Sequence, residues 1–302
     1  MKICAGIVLY NPNIQRLKCS ITSILPQVEM IYLVDNASKN IEDIEELMDS
    51  IKSFAIHLVT NRKNLGIATA LNQLCQEALV NKYDWILTLD QDTICPKGMI
   101  QEMVSYTSNE KIGIVCPSVY YEGKNRKKSI IKRNKNTANY YKIKGRIKEK
   151  AVSEDTTYIY ACMTSASLTR VKAWNEIGRF RDDYFIDFVD NEFCMRMAIN
   201  GYRILRVNKC CINHQLGETK EKRVFGIIRI MLFSHASWRY YYMIRNNRAF
   251  IKEYGCYLPV IKEYIKLWSI IFRGIIQSDE KICTLKYIVR GYKDAERSIK
   301  RN

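Results

Sequence analysis

Trp85-Ile86-Leu87-Thr88-Leu89-Asp90-Gln91-Asp92-Thr93 is the stretch on which the fold turns. A continuous apolar run, of the kind that forms a buried parallel strand, stops at two carboxylates one residue apart. Alternation along an extended chain would point Asp90 and Asp92 to one side of the strand's C-terminal edge, where open α/β sheets bind ligands. Two hard oxygen donors suit Mg²⁺ or Mn²⁺ carrying a diphosphate. Taken alone, the triplet reads equally well as a strand followed by a turn capped by its acids.

Upstream, strand and helix signals alternate. Residues 3–10 read as a strand and Ile14 to Ile24 as a helix; Met30–Val34 is a second strand, ending at Asp35. Ile41, Ile44, Leu47, Met48 and Ile51 carry the spacing of an amphipathic helix. A short strand at Ile56–Val59 and a helix over 67–80 lead to the quoted run. This order predicts an α/β fold with a parallel, Rossmann-like nucleotide-binding sheet flanked by helices. No Gly-x-Gly-x-x-Gly follows the first strand and no Gly-Lys-Ser/Thr occurs, so neither a dinucleotide fingerprint nor a P-loop is supported. Downstream, a helix at 97–106, a strand at Ile112–Cys116, a loop or hairpin over 122–150 and renewed order at 157–169 are expected.

Bulk properties narrow the class. The 302 residues, 47% hydrophobic and 26% charged, describe an ordinary folded chain with a sizeable core. The 11 cysteines are scattered through apolar runs without a Cys-x-x-Cys pair, and with only 3 histidines a zinc site is not expected. No run approaches the roughly 18 apolar residues of a spanning helix, and the first strand is too short for a signal segment. A cytoplasmic location is the expectation. The net charge of +17 is unevenly placed: residues 124–150 hold twelve Lys and Arg against one acid, and residues 219–302 hold eighteen against seven. The rest of the chain is slightly acidic. Such a basic surface suits an anionic partner.

Further features sit at other expected strand ends and loops: Tyr10-Asn11-Pro12, Asp35-Asn36-Ala37-Ser38, Asn64-Leu65-Gly66, the run from Phe185 to Phe193 with Asp187, Asp190 and Glu192, and His214 after the strand-like Ile204–Ile212. With Leu89-Asp90-Gln91-Asp92, this ordered set resembles family 2 glycosyltransferases of the GT-A fold over residues 1–217. Within them it is most similar to bacterial rhamnosyltransferases that build O-antigen or capsule chains.

The resemblance implies roles. Asp35 would bond the base or ribose of a nucleotide-sugar beside Tyr10, with Asn64 and Gly66 shaping the pocket. Asp90 would touch ribose or metal-bound water, Asp92 would bind Mn²⁺ or Mg²⁺ directly, and His214 would complete the metal site. Asp190 would be the general base of an inverting displacement, with Asp187 or Glu192 as alternatives for that role or for orienting the acceptor. The implied donor is dTDP-rhamnose, with UDP-galactofuranose, UDP-glucose or a UDP-hexosamine as alternatives. The implied acceptor is a lipid-linked oligosaccharide. A catalytically silent scaffold that binds glycan or membrane is the contrasting reading. One departure stands out: Thr164-Ser165-Ala166-Ser167 has Ala where such relatives commonly have Gly, which leaves that loop's contact with substrate open.

A boundary is placed near 218, giving a transferase domain at 1–218 and a C-terminal helical extension at 219–302. Helices are expected at Ile227–Phe233, Trp238–Met243 and Leu258–Ile276. Their apolar and aromatic faces edged by Lys and Arg fit peripheral attachment to the anionic inner face of the bacterial plasma membrane, or packing in a homodimer. Nucleic-acid binding is set aside, because it leaves the carboxylates unexplained. His57, in an apolar strand, is expected in the core, and His235 is expected to pack between helices.

Overall fold

The computed structural model describes residues 1–121, 150–214, 219–224, 228–233 and 235–299. Side chains at the margins of these segments, including that of His214, are outside the description. The expected loop over 122–150 (save Lys150) and the boundary near 218 also lie outside the described residues. The chain divides into two compact units. Among described residues the first comprises 1–121, 150–185 and 189–214, and the second 186–188 with those beyond 218.

In the first unit, strands β1 (Ile3–Leu9), β2 (Met30–Asp35), β3 (Ile56–Thr60) and β4 (Trp85–Asp90) alternate with helices α1 (Ile14–Ile24), α2 (Ile41–Ile51) and α3 (Ile67–Val80). Then follow α4 (Met99–Val104), β5 (Ile112–Tyr121), β6 (Lys150–Ala151), β7 (Thr156–Ile159), β8 (Ser167–Arg170), α5 (Val171–Glu176), α6 (Val189–Ile199) and β9 (Arg203–His214). Among the described residues they form a nine-stranded sheet in the order β3-β2-β1-β4-β8-β5-β9-β7-β6. It is mostly parallel; β8 and β7 run against the rest.

The sequence explains the central strands. β1 and β4 are buried along nearly their whole length, so both faces demand apolar side chains and the apolar–polar alternation of a half-exposed strand is absent. Asn13 starts α1 by accepting the Arg16 N–H at 3.1 Å on its side chain. α1 and α2 bury only one stripe, Leu17, Ile21 and Ile24 in the first and Ile44 and Leu47 in the second. These residues join Ile7, Leu9, Leu33 and Leu87 in one core.

Three expectations need correction. β4 ends at Asp90, and residues 91–92 form a turn closed by Thr93 N–H to the Asp90 carbonyl at 3.1 Å, so strand alternation does not place Asp92. His57 is exposed, because β3 is the edge strand, and its ring meets the Tyr32 ring edge-on at 6.0 Å. The helix expected at Ile227–Phe233 is instead a strand, β11 (Ile228–Phe233), paired antiparallel with β10 (Thr219–Val224). The segment Ile227–Phe233 is too short to hold itself as a helix, and β-branched Ile227, Ile228 and Ile230 favour an extended strand.

Among the described residues the second unit contains that strand pair and three α-helices: α7 (Arg239–Tyr254), α8 (Val260–Gln277) and α9 (Lys281–Ile299). Tyr240, Ile244, Ile251, Leu267, Ile271 and Ile288 form its core. Gly274 allows α8 to lie against α7, since a Cβ there would come within 2.5 Å of the Tyr240 ring.

Candidate active site

Sheet register brings the predicted donor residues together. Leu9 pairs with Asp35 and Val8 with Asp90, so β2, β1 and β4 end side by side. Asp35 and Asp90 therefore stand two strand spacings apart, about 10 Å, on either side of the β1 end where Tyr10 leaves the sheet. Strand order also reverses at β1, whose parallel neighbours are β2 on one side and β4 on the other. Crevices at such reversals are where α/β sheets take nucleotides.

Asp35 is 1% exposed. Its Oδ2 accepts the Ser38 N–H at 3.0 Å, whereas Oδ1 is buried without a hydrogen-bond partner in the structure. An orphaned buried carboxylate oxygen is costly, and a ligand N–H or O–H would satisfy it.

Tyr10, half-exposed, is fixed through its backbone. Its N–H donates to Gln91 Oε1 at 2.9 Å and its carbonyl accepts from Gln91 Nε2 at 3.4 Å, so the residue between the two acids locks the end of β1. The adjoining loop is tied to the Asp35 turn: Asn11 N–H donates to Ser38 Oγ at 2.8 Å, and Asn11 Oδ1 accepts the Lys39 N–H at 2.8 Å.

The Asn64–Gly66 turn is held by Asn36, which the sequence reading passed over. Asn36 Nδ2 donates to Asn64 Oδ1 and to the Gly66 carbonyl, each at 3.1 Å, and its Oδ1 accepts the Leu65 N–H at 3.0 Å. Asn64 Oδ1 also takes the Gly66 N–H at 2.9 Å, so Asn64 shapes the turn through its neighbours. Gly66 has φ +87°, and a Cβ there would lie 2.7 Å from the Phe185 carbonyl oxygen. That carbonyl accepts the first helical N–H of α3, from Ile67, at 2.6 Å. Only glycine meets both demands. Arg62 and Lys63 are exposed, as a solvated face would be.

The Asp90–Thr93 turn rests on the loop that carries Ala166. Asp90 N–H donates to Ser165 Oγ at 3.0 Å, and that hydroxyl shares a 2.8 Å hydrogen bond with Thr93 Oγ1. Thr88 Oγ1 donates to the Thr164 carbonyl at 2.6 Å. Ala166 itself has φ +59°, which explains why glycine is at home in this position. The loop supports the acids from beneath, and Asp90 and Asp92 stay partly exposed. Two carboxylates in that setting fit a divalent ion that completes its shell with diphosphate oxygens and water. Among the described side chains no group of three His, Cys, Asp or Glu forms a ready-made metal cage. His214 ends β9, paired with Tyr121 of β5.

The acids of the 185–193 block separate into three situations. Asp190 opens α6, is partly exposed, and accepts the Asn191 N–H at 2.9 Å. One helical turn on, Cys194 packs against Cys162 with sulfurs 3.8 Å apart, in the strand-to-loop segment that also supplies Ser165. Hydrogen bonding to Cys162 and burial hold the Cys194 thiol well above the usual thiol range, with the Asp190 charge adding to the effect. It is a thiol, not a thiolate nucleophile.

Glu192 is fully buried and gripped by Arg196, at 2.5 Å from Nε and 2.8 Å from Nη2. Arg196 also donates to the Ile177 carbonyl at 2.8 Å and to that of Arg179. This ties α6 to the segment after α5. Glu192→Gln is expected to destabilise the chain by about 3 kcal/mol, because Arg196 loses its counter-charge in a dry site. Urea denaturation measures it, and a variant of full stability with lost turnover would assign Glu192 to chemistry instead.

Asp187 belongs to the second unit. Arg239 forks onto it, Nε to Oδ2 at 2.9 Å and Nη2 to Oδ1 at 2.8 Å, and this carboxylate raises the Arg239 pKa. Asn246 Nδ2 donates to the Ile186 and Asp187 carbonyls at 2.8 Å each. Phe185, Asp187 and Phe188 have φ of 56°, 64° and 63°. Such a cluster of left-handed, non-glycine residues is strained and survives only where its surroundings impose it. His235, in the same unit, is edge-on to Tyr240 at 6.2 Å, and burial and Arg239 lower its pKa.

With this geometry in place, the comparisons are specific. The glycosyl transferase family 2 model matches residues 4–177, more than half of the chain. The chain belongs to glycosyl transferase family 2. This family 2 enzyme is 29% identical over 289 residues to the dTDP-rhamnosyl transferase RfbF of Shigella flexneri, covering 92% of this chain and 89% of that one. It is therefore a rhamnosyltransferase-like glycosyltransferase. Solved structures share the GT-A fold at low identity. GalNAc-T7, solved with UDP, GalNAc and Mn²⁺, matches 99% of the chain at TM-score 0.60 and 13% identity, although the chain spans only 56% of that longer protein. The mannosyltransferase PcManGT from Pyrobaculum calidifontis, in complex with GDP-Man and Mn²⁺, matches at TM-score 0.58 and 13% identity over 99% of this chain and 83% of that one. TarS 1–349 of S. aureus with UDP-GlcNAc gives 0.57 at 12% identity, over 99% and 82%.

Proposed function

We propose that this glycosyltransferase moves L-rhamnose from dTDP-rhamnose onto a lipid-linked oligosaccharide, inverting the anomeric centre, at the inner face of the bacterial plasma membrane. The observation that carries the donor half is Asp35. Its orphaned Oδ1, buried at the end of β2, sits beside the end of β1, where Tyr10 leaves the sheet, and across β1 from the partly exposed Asp90 and Asp92. Base recognition at one end and diphosphate at the other is the chemistry this layout supports. Similarity to the dTDP-rhamnosyl transferase RfbF favours dTDP-rhamnose among pyrimidine donors.

In this reading Asp35 accepts a hydrogen bond from an N–H or O–H of the nucleoside, and Tyr10 lies along it. Asp92, with Asp90 directly or through water, and His214 as the third ligand would hold Mn²⁺ or Mg²⁺. When bound, the ion neutralises charge on the departing nucleoside diphosphate. Asp190 removes the proton from the acceptor hydroxyl as its oxygen attacks the anomeric carbon. A single displacement needs no enzyme nucleophile. Glu192 braces α6 through Arg196 and Asp187 is held by Arg239 within the second unit, so in this reading neither takes the proton.

The test is turnover with dTDP-rhamnose, UDP-galactofuranose, UDP-glucose and UDP-hexosamines, using a membrane extract as acceptor and NMR of the product linkage. Preference for dTDP-rhamnose with inversion supports the proposal; preference for a UDP-sugar moves the donor, and retention of configuration removes the single displacement.

A further inference from the structure

Along α8, Ile261, Ile265, Trp268 and Phe272 recur at spacings of four, three and four residues, which places them in one narrow stripe. They are 78%, 63%, 58% and 66% exposed. On α9 a second stripe, Ile282, Leu285 and Val289, is 75%, 47% and 44% exposed. Neither stripe serves the unit's core. The opposite face of α8 supplies the buried Leu267, Ile271 and Gly274, and Ile288 does so for α9. The Trp268 and Tyr292 rings lie 6.5 Å apart and bring the two outer faces alongside each other.

Seven large apolar side chains left in water on adjacent helices are far more than scattered exposure. Their borders are basic. Lys262, Lys266 and Arg273 run beside the α8 stripe, and Lys286, Arg290 and Lys293 beside that of α9. A shallow groove of about 520 Å³ on α9 is lined by Leu285 and Val289 together with those three bases and Asp294. The acids within these helical faces are engaged: Glu263 with Lys266 at 2.7 Å, and Asp294 with Arg290 at 3.6 Å and with the Tyr241 hydroxyl at 3.1 Å. Asp279 and Glu280 stand apart, in the connecting turn.

We propose that this α8–α9 face is a membrane-docking surface that lies in the headgroup layer of an anionic phospholipid bilayer, with the apolar stripes inserted and the Lys and Arg rows on lipid phosphates. No described helix is long and apolar enough to cross a membrane, so the face lies on the bilayer. A second copy of the chain is the weaker occupant. A two-fold interface would press this patch against itself and bring basic borders together without matching acids. An anionic lipid surface answers the apolar and the basic features at once. The inference rests on the membrane-face part of the proposed function and not on the donor.

The experiment is sedimentation of the full chain with vesicles of phosphatidylcholine alone or mixed with phosphatidylglycerol. Binding is expected to the mixed vesicles, falling at least tenfold in the Trp268→Glu/Phe272→Glu double variant and also in Lys262→Glu/Lys286→Glu. All four side chains are exposed, so thermal midpoints should hold. Equal sedimentation of parent and both variants would overturn the proposal, as would a dimer in light scattering that Phe272→Glu breaks without any vesicle affinity. Nucleotide binding, followed in parallel, keeps the two readings apart. Vesicle failure with intact nucleotide binding sinks the docking face alone, and the reverse result sinks the donor reading alone.

Discussion

Asp92→Asn is expected to slow sugar transfer by about 10³-fold, a loss of about 4 kcal/mol of transition-state stabilisation. The thermal midpoint should move by no more than about 2 °C. Both expectations follow from where the residue sits. The turn after β4 is secured by Ser165, Thr93 and the Asp90 backbone, none of which needs the Asp92 carboxylate. Removing its charge therefore spares the fold, and on the proposed reading it would deprive the diphosphate of its compensating ion. A silent scaffold would be indifferent to the change. Initial rates with saturating donor and Mn²⁺, paired with a melting curve, make the comparison, and a rate within threefold of the parent would remove Asp92 from the metal site.

The second large effect is on Asp190→Asn, for which turnover should fall by about 10³-fold, within the range that a positioned general base supplies. Donor-nucleotide affinity should stay within about twofold. The split matters because loss of affinity would signal a collapsed pocket instead of a missing proton acceptor. Asp190 is distinguished from its neighbours by what surrounds it. Glu192 is buried against Arg196 and Asp187 is forked by Arg239, while Asp190 stands partly exposed in the first turn of α6. If Asp190→Asn keeps most of its rate, the base lies elsewhere.

The parallel half of the sheet was legible because burial on both faces writes itself as continuous apolar runs, and Ile3–Leu9, Met30–Asp35 and Trp85–Asp90 have little else they could be. Strand ends were legible for the same reason, since each run breaks at a polar residue. Short segments were not. Ile228–Phe233 suited a helix or a strand, and only its pairing with Thr219–Val224 decided between them. His57 reads as core from its neighbours, yet a strand's place at the sheet edge depends on the whole topology. At the site, types and order of the acids were readable, but their separation into distinct roles was not. Arg239 lies 52 residues from Asp187, and nothing in the local sequence announces that pairing. Asn36 and Ser165 were within quoted motifs and still passed unnoticed, because a side chain that braces a loop looks like any other polar residue until its partners are known.

The central claim, a metal-assisted pyrimidine nucleoside diphosphate site at the ends of β2, β1 and β4, is tested most directly by calorimetric titration of dTDP with and without Mn²⁺. The parent is compared with Asp35→Ala and Asp92→Asn. The account predicts binding that requires the metal, weakens at least tenfold in Asp35→Ala, and loses its metal dependence in Asp92→Asn. Absence of binding to the parent, or binding that neither substitution nor Mn²⁺ alters, would contradict it.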